Sequence, residues 1–134
     1  MRAEIHPIGH IETPYKKLED CPRNINPSGP ACALVLDPPY DSALFGLNPG
    51  DRIMVLYWFD GVDRERLMQP RRGEGPVLGT FALRSPHRPN PIAVAVVEIE
   101  TIDGNRVSVP GLDCLDGTPL LDIKPAAKAE KELR

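Results

Sequence analysis

Short apolar runs alternate with turn residues along the chain, and no stretch shows the apolar period of a long amphipathic helix. The strongest run, residues 52–59, is rich in β-branched and aromatic side chains and predicts a strand. Residues 5–11 predict a first strand, placed at a sheet edge because Pro7 has no amide proton to donate. Further strands are predicted at 31–36, 77–83, 92–99, 107–109 and 120–123. This spacing of short strands predicts an all-β fold, either a barrel or a sandwich.

The segments between these runs carry turn signals. Residues 14–30 contain four prolines and predict a long irregular loop, which in a compact domain is usually functional or disordered. Residues 42–47 suit one helical turn, and 103–105 suit a hairpin turn. No linker or internal repeat is visible, so we expect one domain spanning residues 1–134, with 126–134 as a C-terminal helix or frayed tail.

Composition narrows the class of protein. Sixteen prolines and eleven glycines among 134 residues favour short strands and ordered loops over helices. No apolar run approaches the roughly 20 residues of a membrane span, and the first residues lack the apolar core of a signal peptide. The cysteines are odd in number, and no two have the short spacing of a zinc site; they are Cys21, Cys32 and Cys114. We therefore expect reduced thiols, no metal and a cytoplasmic location.

Charge is unevenly distributed along the chain. The net charge is −3, yet residues 64–97 carry six arginines against two glutamates, a sum of +4. Arginine suits planar or phosphate recognition, so this arginine island could contact an anionic partner, although solvated ion pairs would leave the same pattern.

Two loops have the residue density of a site. Three prolines within residues 84–91 stiffen a loop that presents Arg84, His87, Arg88 and Asn90, which favours a preorganised recognition surface. Residues 111–125 hold three carboxylates. Their spacing is compatible with a calcium loop or with an acid–base pair for sugar hydrolysis. It is equally compatible with carboxylates that bind ribose hydroxyls or a ligand amino group, and with aspartates that only cap turns.

Taken together, the two loops resemble the TrmO family, also called TsaA-like or YaeB-like. The resemblance rests on the segment from Arg84 to Ile92 and on Leu112-Asp113-x-x-Asp116-Gly117-Thr118-Pro119-x-x-Asp122-Ile123-Lys124-Pro125. Shorter matches lie at residues 8–11, 22–24, 39–40, 58–59 and 79–86, so the resemblance covers nearly the whole chain. Asn24, Asp60 and Ala126 depart from the Gln, His and Tyr that are usual in the family.

The resemblance implies a β-barrel methyltransferase that uses S-adenosylmethionine and forms a homodimer with the cofactor near the subunit interface. It implies methylation of N6 of threonylcarbamoyl-adenosine at position 37 of tRNA. Two alternatives stay open: an enzyme of this fold with a small-molecule acceptor, and a non-catalytic module that binds S-adenosylmethionine or RNA.

The resemblance also implies roles for single residues. Arg88, Asn90 and Lys124 are candidates for the RNA side and for catalysis. We hypothesise that Lys124 or Arg88 stabilises a deprotonated acceptor nitrogen, with no dedicated general base. The residues carried over by motif to the cofactor site are Pro22, Arg23, Asn24, Asp60, Gly61, Arg84, Val94, Leu112, Asp113 and Asp116.

Overall fold

Strands form where apolar residues alternate or cluster between prolines and glycines. In the computed structural model, which describes residues 1–127, the 52–58 strand buries Ile53, Val55 and Tyr57 on one face. The strands are β1 (Gly9–Glu12), β2 (Ala31–Leu36), β3 (Arg52–Trp58), β4 (Met68–Pro70), β5 (Val77–Gly79), β6 (Ile92–Glu98), β7 (Thr101–Asp103), β8 (Arg106–Pro110) and β9 (Thr118–Pro125). Only single 3-10 turns accompany them in the described residues, at Leu18–Asp20, Tyr40–Leu44, Arg71–Gly73 and Thr80–Ala82. The predicted all-β fold is confirmed.

Seven strands form one antiparallel sheet in the order β6-β3-β9-β1-β2-β8-β7. The two outermost strands, β6 and β7, are nearly continuous in the chain. β6 pairs with β3, β7 pairs with β8, and between them the Glu100 amide donates to the Ser108 carbonyl at 2.8 Å. The segment 92–103 therefore borders both sides of the sheet and closes it into a barrel around one apolar core.

Two predicted elements differ from the structure, and two observed strands were not predicted. β1 begins at Gly9 and pairs with both β2 and β9, so it is a central strand and the edge prediction was wrong. Pro7 precedes the paired segment, so its missing amide proton costs no ladder bond. The predicted 77–83 strand ends at Gly79 because residues 80–82 make a 3-10 turn. The short strands β4 and β7 were not predicted at all.

The antiparallel order places particular loops together. β1, β3 and β8 end at the same rim of the barrel where β2, β6 and β9 begin. Residues 13–30, 59–91 and 111–117 therefore meet at this rim, which we call the loop rim. Residues 37–51 lie at the opposite rim. No helix within residues 1–127 is both long and apolar enough to cross a membrane. The predicted tail continues into residues 128–134, which lie outside the described residues.

Candidate functional site

A half-buried carboxylate without a cationic partner lies at the loop rim. Asp113 follows the end of β8, and its Oδ1 accepts a hydrogen bond from the Tyr57 hydroxyl at 2.7 Å. Burial raises the pKa of Asp113, while the Tyr57 hydrogen bond and the charge of Arg84 oppose that shift. No ion pair of residues 1–127 includes Asp113. A partly desolvated carboxylate in this state gains from a cation or from hydroxyl donors supplied by a ligand.

Arg84 connects this carboxylate to β6. Its Nη2 donates to the Val94 carbonyl at 3.5 Å, and its charge acts on both Asp113 and Tyr57. The Arg84 side chain itself is exposed. The structure therefore brings three predicted site residues together: Arg84, Val94 and Asp113.

The long loop is anchored beside the same carboxylate. The Asn26 amide donates to the Gly111 carbonyl at 2.8 Å, and Ile25 is buried in the core. Cys21 lies near enough to Asp113 for that carboxylate to raise its thiol pKa, after the larger effect of burial. The segment between these two anchors is exposed and makes no side-chain hydrogen bond or ion pair with any described residue. It consists of the predicted Pro22, Arg23 and Asn24.

Two further predicted residues, Leu112 and Asp116, have structural contacts at the rim and are less exposed than the 22–24 segment. Leu112 is fully buried in the core, so only its backbone is available at the rim. Asp116 accepts hydrogen bonds from the Thr13 amide at 3.0 Å and from Lys16 Nζ at 2.7 Å. The Asp116 carboxylate thus braces the start of the 13–30 loop.

Replacing Asp116 with alanine is expected to lower the free energy of unfolding by about 1 kcal/mol at neutral pH. The Lys16 and Thr13 hydrogen bonds lower the pKa of Asp116 below its unfolded value. This contribution is therefore complete above the unfolded pKa and is lost as pH falls through the lowered folded pKa. Urea unfolding at several pH values should show the two proteins converging in acid. Asp103→Ala, an exposed carboxylate on β7, is the control, and a constant Asp116→Ala deficit at every pH would contradict the expectation.

Asp60 and Gly61 form a turn just beyond β3. Gly61 has φ +72°, which glycine adopts without strain. This turn belongs to a segment that is hydrogen-bonded to the loop at residues 84–91, which we call the proline-rich loop, since the Phe59 amide donates to Pro91 O at 2.9 Å. In the same segment, Arg64 Nε donates to Pro89 O at 2.7 Å while its guanidinium lies 5.2 Å over the Trp58 ring. The turn is thus held at the loop rim.

Two of the three candidates for catalysis and RNA contact, Arg88 and Asn90, share the loop at residues 84–91, whereas Lys124 lies near the end of β9, towards the opposite rim. Arg88 Nη1 donates to the Leu83 and Ser85 carbonyls, both at 3.0 Å, so it stiffens its own loop. Asn90 Oδ1 accepts from Arg64 Nη2 at 3.5 Å. Lys124 pairs with Asp122 at 2.9 Å and lies opposite Met54, on the outer face of the barrel. Because Met54 is three residues from Tyr57 along β3, Lys124 lies about 10 Å along the strand from the Tyr57–Asp113 pair.

The arginine island contains an exposed two-stranded flap, formed by β4, β5 and the residues beside them. Buried Gln69 ties the flap to the rim, since its Nε2 donates to Thr80 Oγ1 and to His87 O at 3.0 Å each. The apolar side chains of the flap face solvent, with exposed fractions of 58–80 %. They are Leu67, Met68, Val77 and Phe81. Phe81 precedes Arg84 by three residues, so the Cα atoms of the two lie at most about 11 Å apart.

The three cysteines are free, as predicted. Burial raises the thiol pKa of all three, that of Cys114 to about 12, which disfavours a nucleophilic thiolate. In the described part of the chain, no three His, Cys, Asp or Glu side chains form a group able to hold a metal ion.

Comparison with protein families identifies the chain. The model of the tRNA-methyltransferase O N-terminal domain matches residues 10–130. The chain belongs to this family. A crystal structure of TrmO from Pseudomonas aeruginosa has 34% sequence identity and a TM-score of 0.76, with all of this chain and 62% of that chain aligned. The resemblance found in the sequence and its barrel fold are confirmed.

Two curated relatives extend the TrmO comparison. A probable S-adenosyl-L-methionine-binding protein, VirR of Rhizobium radiobacter, is 42% identical over 98% of this chain and 75% of its own length. The tRNA (adenine(37)-N6)-methyltransferase of Mus musculus is 33% identical over 89% of this chain and 30% of its own length. The chain thus spans less than two thirds of the mouse enzyme and of the solved Pseudomonas structure.

Tyr57 and Gly111 were not predicted as site residues. Tyr57 shares the inward face of β3 with Ile53 and Val55, and its polar hydroxyl at the strand end is the signal that could have identified it. Gly111 has φ +70° and lies against the Asn26 backbone, a contact that no local pattern reveals.

Proposed function

We propose that this chain is an S-adenosylmethionine-dependent methyltransferase that methylates N6 of threonylcarbamoyl-adenosine at position 37 of tRNA. The observation that carries the proposal is the Asp113 carboxylate, which is half-buried, is held by Tyr57 and lacks an ion-pair partner among the described residues. The names of the S-adenosyl-L-methionine-binding and tRNA-modifying relatives support it.

The residues at the loop rim fit the charges of S-adenosylmethionine. That cofactor carries a sulfonium, an ammonium and a carboxylate, together with ribose hydroxyls. Asp113 would accept from the ammonium or the ribose, and the exposed guanidinium of Arg84 or Arg23 would hold the carboxylate. The bound cofactor supplies the methyl group, and Pro22, Asn24, Asp60, Gly61 and the backbone of Leu112 would complete the surrounding wall.

The protein's task in this reaction is alignment and desolvation of the acceptor nitrogen. Holding two reactants in line supplies a large part of the barrier reduction in well-oriented systems. The urea-like nitrogen is weakly nucleophilic but more acidic than an ordinary amine. A nearby cation would favour its deprotonated form, whose proton passes to solvent before the nitrogen takes the methyl group. Arg88 and Lys124 are our candidates for that cation. Arg88 is the better placed of the two, because its loop joins Arg84 directly.

The RNA would lie against the flap. Exposed Phe81 offers a face on which an unpaired base can stack, and exposed Arg71 in the same island offers charge for phosphates. Because Phe81 is three residues from Arg84, a base stacked there would lie beside the methyl donor. Asn90 would contact the same RNA from the proline-rich loop.

We also propose a cytoplasmic homodimer. The outer face of β3 and β6 carries the apolar side chains of Leu56, Trp58, Ile92 and Val94, where a solvated sheet face would be polar. Val94 also lies at the site, so a second copy of the chain covering this face would border the cofactor. Light scattering of the purified chain tests the dimer.

Transfer of a labelled methyl group tests the proposed activity. The full chain should label tRNA that carries threonylcarbamoyl-adenosine and should leave tRNA without that modification unlabelled. Cofactor binding without labelling would instead support a small-molecule acceptor or a non-catalytic binding module. Absence of labelling on the modified tRNA, with cofactor bound, would overturn the tRNA assignment.

A further inference from the structure

We propose that Tyr57 is a positioning residue for the cofactor: its hydroxyl orients the Asp113 carboxylate and keeps it charged for a cationic or hydroxyl group of the ligand. The inference rests on the proposed function, because it assumes that Asp113 binds the cofactor. It adds a residue that no sequence motif marks.

The geometry of the pair supports this role. Tyr57 is 1% exposed and packs edge-on against Phe59, with ring centroids 5.6 Å apart, so its hydroxyl has a fixed position. That hydroxyl donates to Asp113 Oδ1 at 2.7 Å, within the usual range for a hydroxyl donor, and such a bond is stronger when the acceptor is a charged carboxylate. A carboxylate can accept about four hydrogen bonds, so Tyr57 leaves most of that capacity to a ligand.

Among the described residues, Tyr57 is the side chain that donates a hydrogen bond to the Asp113 carboxylate, and the backbone amide of Asp113 itself also donates to it. Arg84 is the positive group whose charge reaches Asp113, but the two form no ion pair. The remaining titratable groups that interact with Asp113 are neutral acids, which do not stabilise its charge. They are Tyr15, Cys21, Cys32 and Cys114. The Tyr57 hydroxyl therefore offsets part of the desolvation that disfavours the carboxylate.

Tyr57→Phe removes the hydroxyl and keeps the ring. We expect the Kd for S-adenosylmethionine, measured by calorimetry on the full chain, to rise about tenfold at neutral pH. The Tyr57 hydrogen bond lowers the pKa of Asp113, so removing it raises that pKa. The loss of binding on acidification should consequently begin at a higher pH in the variant. Tyr40→Phe, an exposed tyrosine at the opposite rim, is the matched control and should bind like the wild type.

A double-mutant cycle with Asp113→Asn separates positioning from general structural support. In the Asp113→Asn background, which has no carboxylate to orient, Tyr57→Phe should change the Kd less than twofold. A tenfold loss that persists in that background, or one equal at every pH, would overturn the inference.

A second substitution keeps the test valid if Tyr57→Phe fails to fold. A 3-fluorotyrosine placed at position 57 is a stronger donor of nearly the same size, and it should move the acid loss of binding to lower pH. An unmoved profile would again refute the role of Tyr57. If the wild-type chain binds no S-adenosylmethionine, the proposed function fails too. If the wild-type chain binds S-adenosylmethionine and the Tyr57 variants bind it with the same Kd and pH profile, the inference fails while the proposed function stands.

Discussion

Gly111→Ala should lower the free energy of unfolding by about 4 kcal/mol, the largest stability effect we expect from one substitution at the loop rim. Gly111 has φ +70°, and a Cβ built on it would lie 1.5 Å from the Asn26 carbonyl oxygen. The three atoms nearest the added Cβ, the carbonyl oxygen, carbonyl carbon and amide nitrogen of Asn26, are all backbone and cannot rotate away. The change should therefore displace the 22–29 segment together with Asp113, and weaken S-adenosylmethionine binding as well as folding.

Urea unfolding and cofactor calorimetry measure the two effects of Gly111→Ala. Gly104→Ala is the matched control, because Gly104 has φ +60° but no atom within 4 Å of an added Cβ. It should cost only the backbone strain, about 1 kcal/mol. Equal losses in the two variants would show that the contact with Asn26 contributes nothing.

Asp113→Asn should raise the Kd for S-adenosylmethionine by roughly 30-fold or more. The substitution keeps the size of the side chain and removes its charge. An amide in place of the carboxylate cannot neutralise an ammonium, and its NH2 group could face the donor hydroxyl of Tyr57. Folding should be nearly unaffected, because burial disfavours the charge that the substitution removes.

Calorimetry at neutral pH checks the Asp113 prediction. Asp103→Asn, on β7 towards the opposite rim, removes an exposed carboxylate and should leave the Kd within twofold of wild type. An Asp113→Asn protein that binds as tightly as the wild type would remove Asp113 from the cofactor site. The position of the ligand would then have to be sought elsewhere on the rim.

Strands with strong local signals could be predicted from the sequence. The predicted 31–36 strand matches β2, and 52–59 and 92–99 match β3 and β6 to within one residue. The position of β1 could not be predicted, because membership of the sheet centre depends on β2 and β9, which lie far along the chain. β4 is three residues long and has no pattern of its own; it exists because it pairs with β5.

The candidate site divides in the same way. Arg84, Asp113 and the 22–24 loop could be predicted as cofactor-site residues from motifs, because their residue types and spacing are specific, and their contact with the cofactor stays a prediction. Asp116 was predicted with them, yet its contacts with Thr13 and Lys16 show a bracing position that spacing does not reveal. Tyr57 escaped prediction because a tyrosine in an apolar strand has the pattern of any core residue.

Three properties of this chain follow from its sequence alone: it forms short strands, its prolines gather in loops, and it resembles one family. These properties are local, since backbone preference and motif identity depend on neighbouring residues. The tertiary structure alone decided that Asp113 meets Tyr57 and that Gly111 meets Asn26, pairs separated by 56 and 85 positions. Such contacts depend on strand order and register, which form only when distant apolar faces close together around the core.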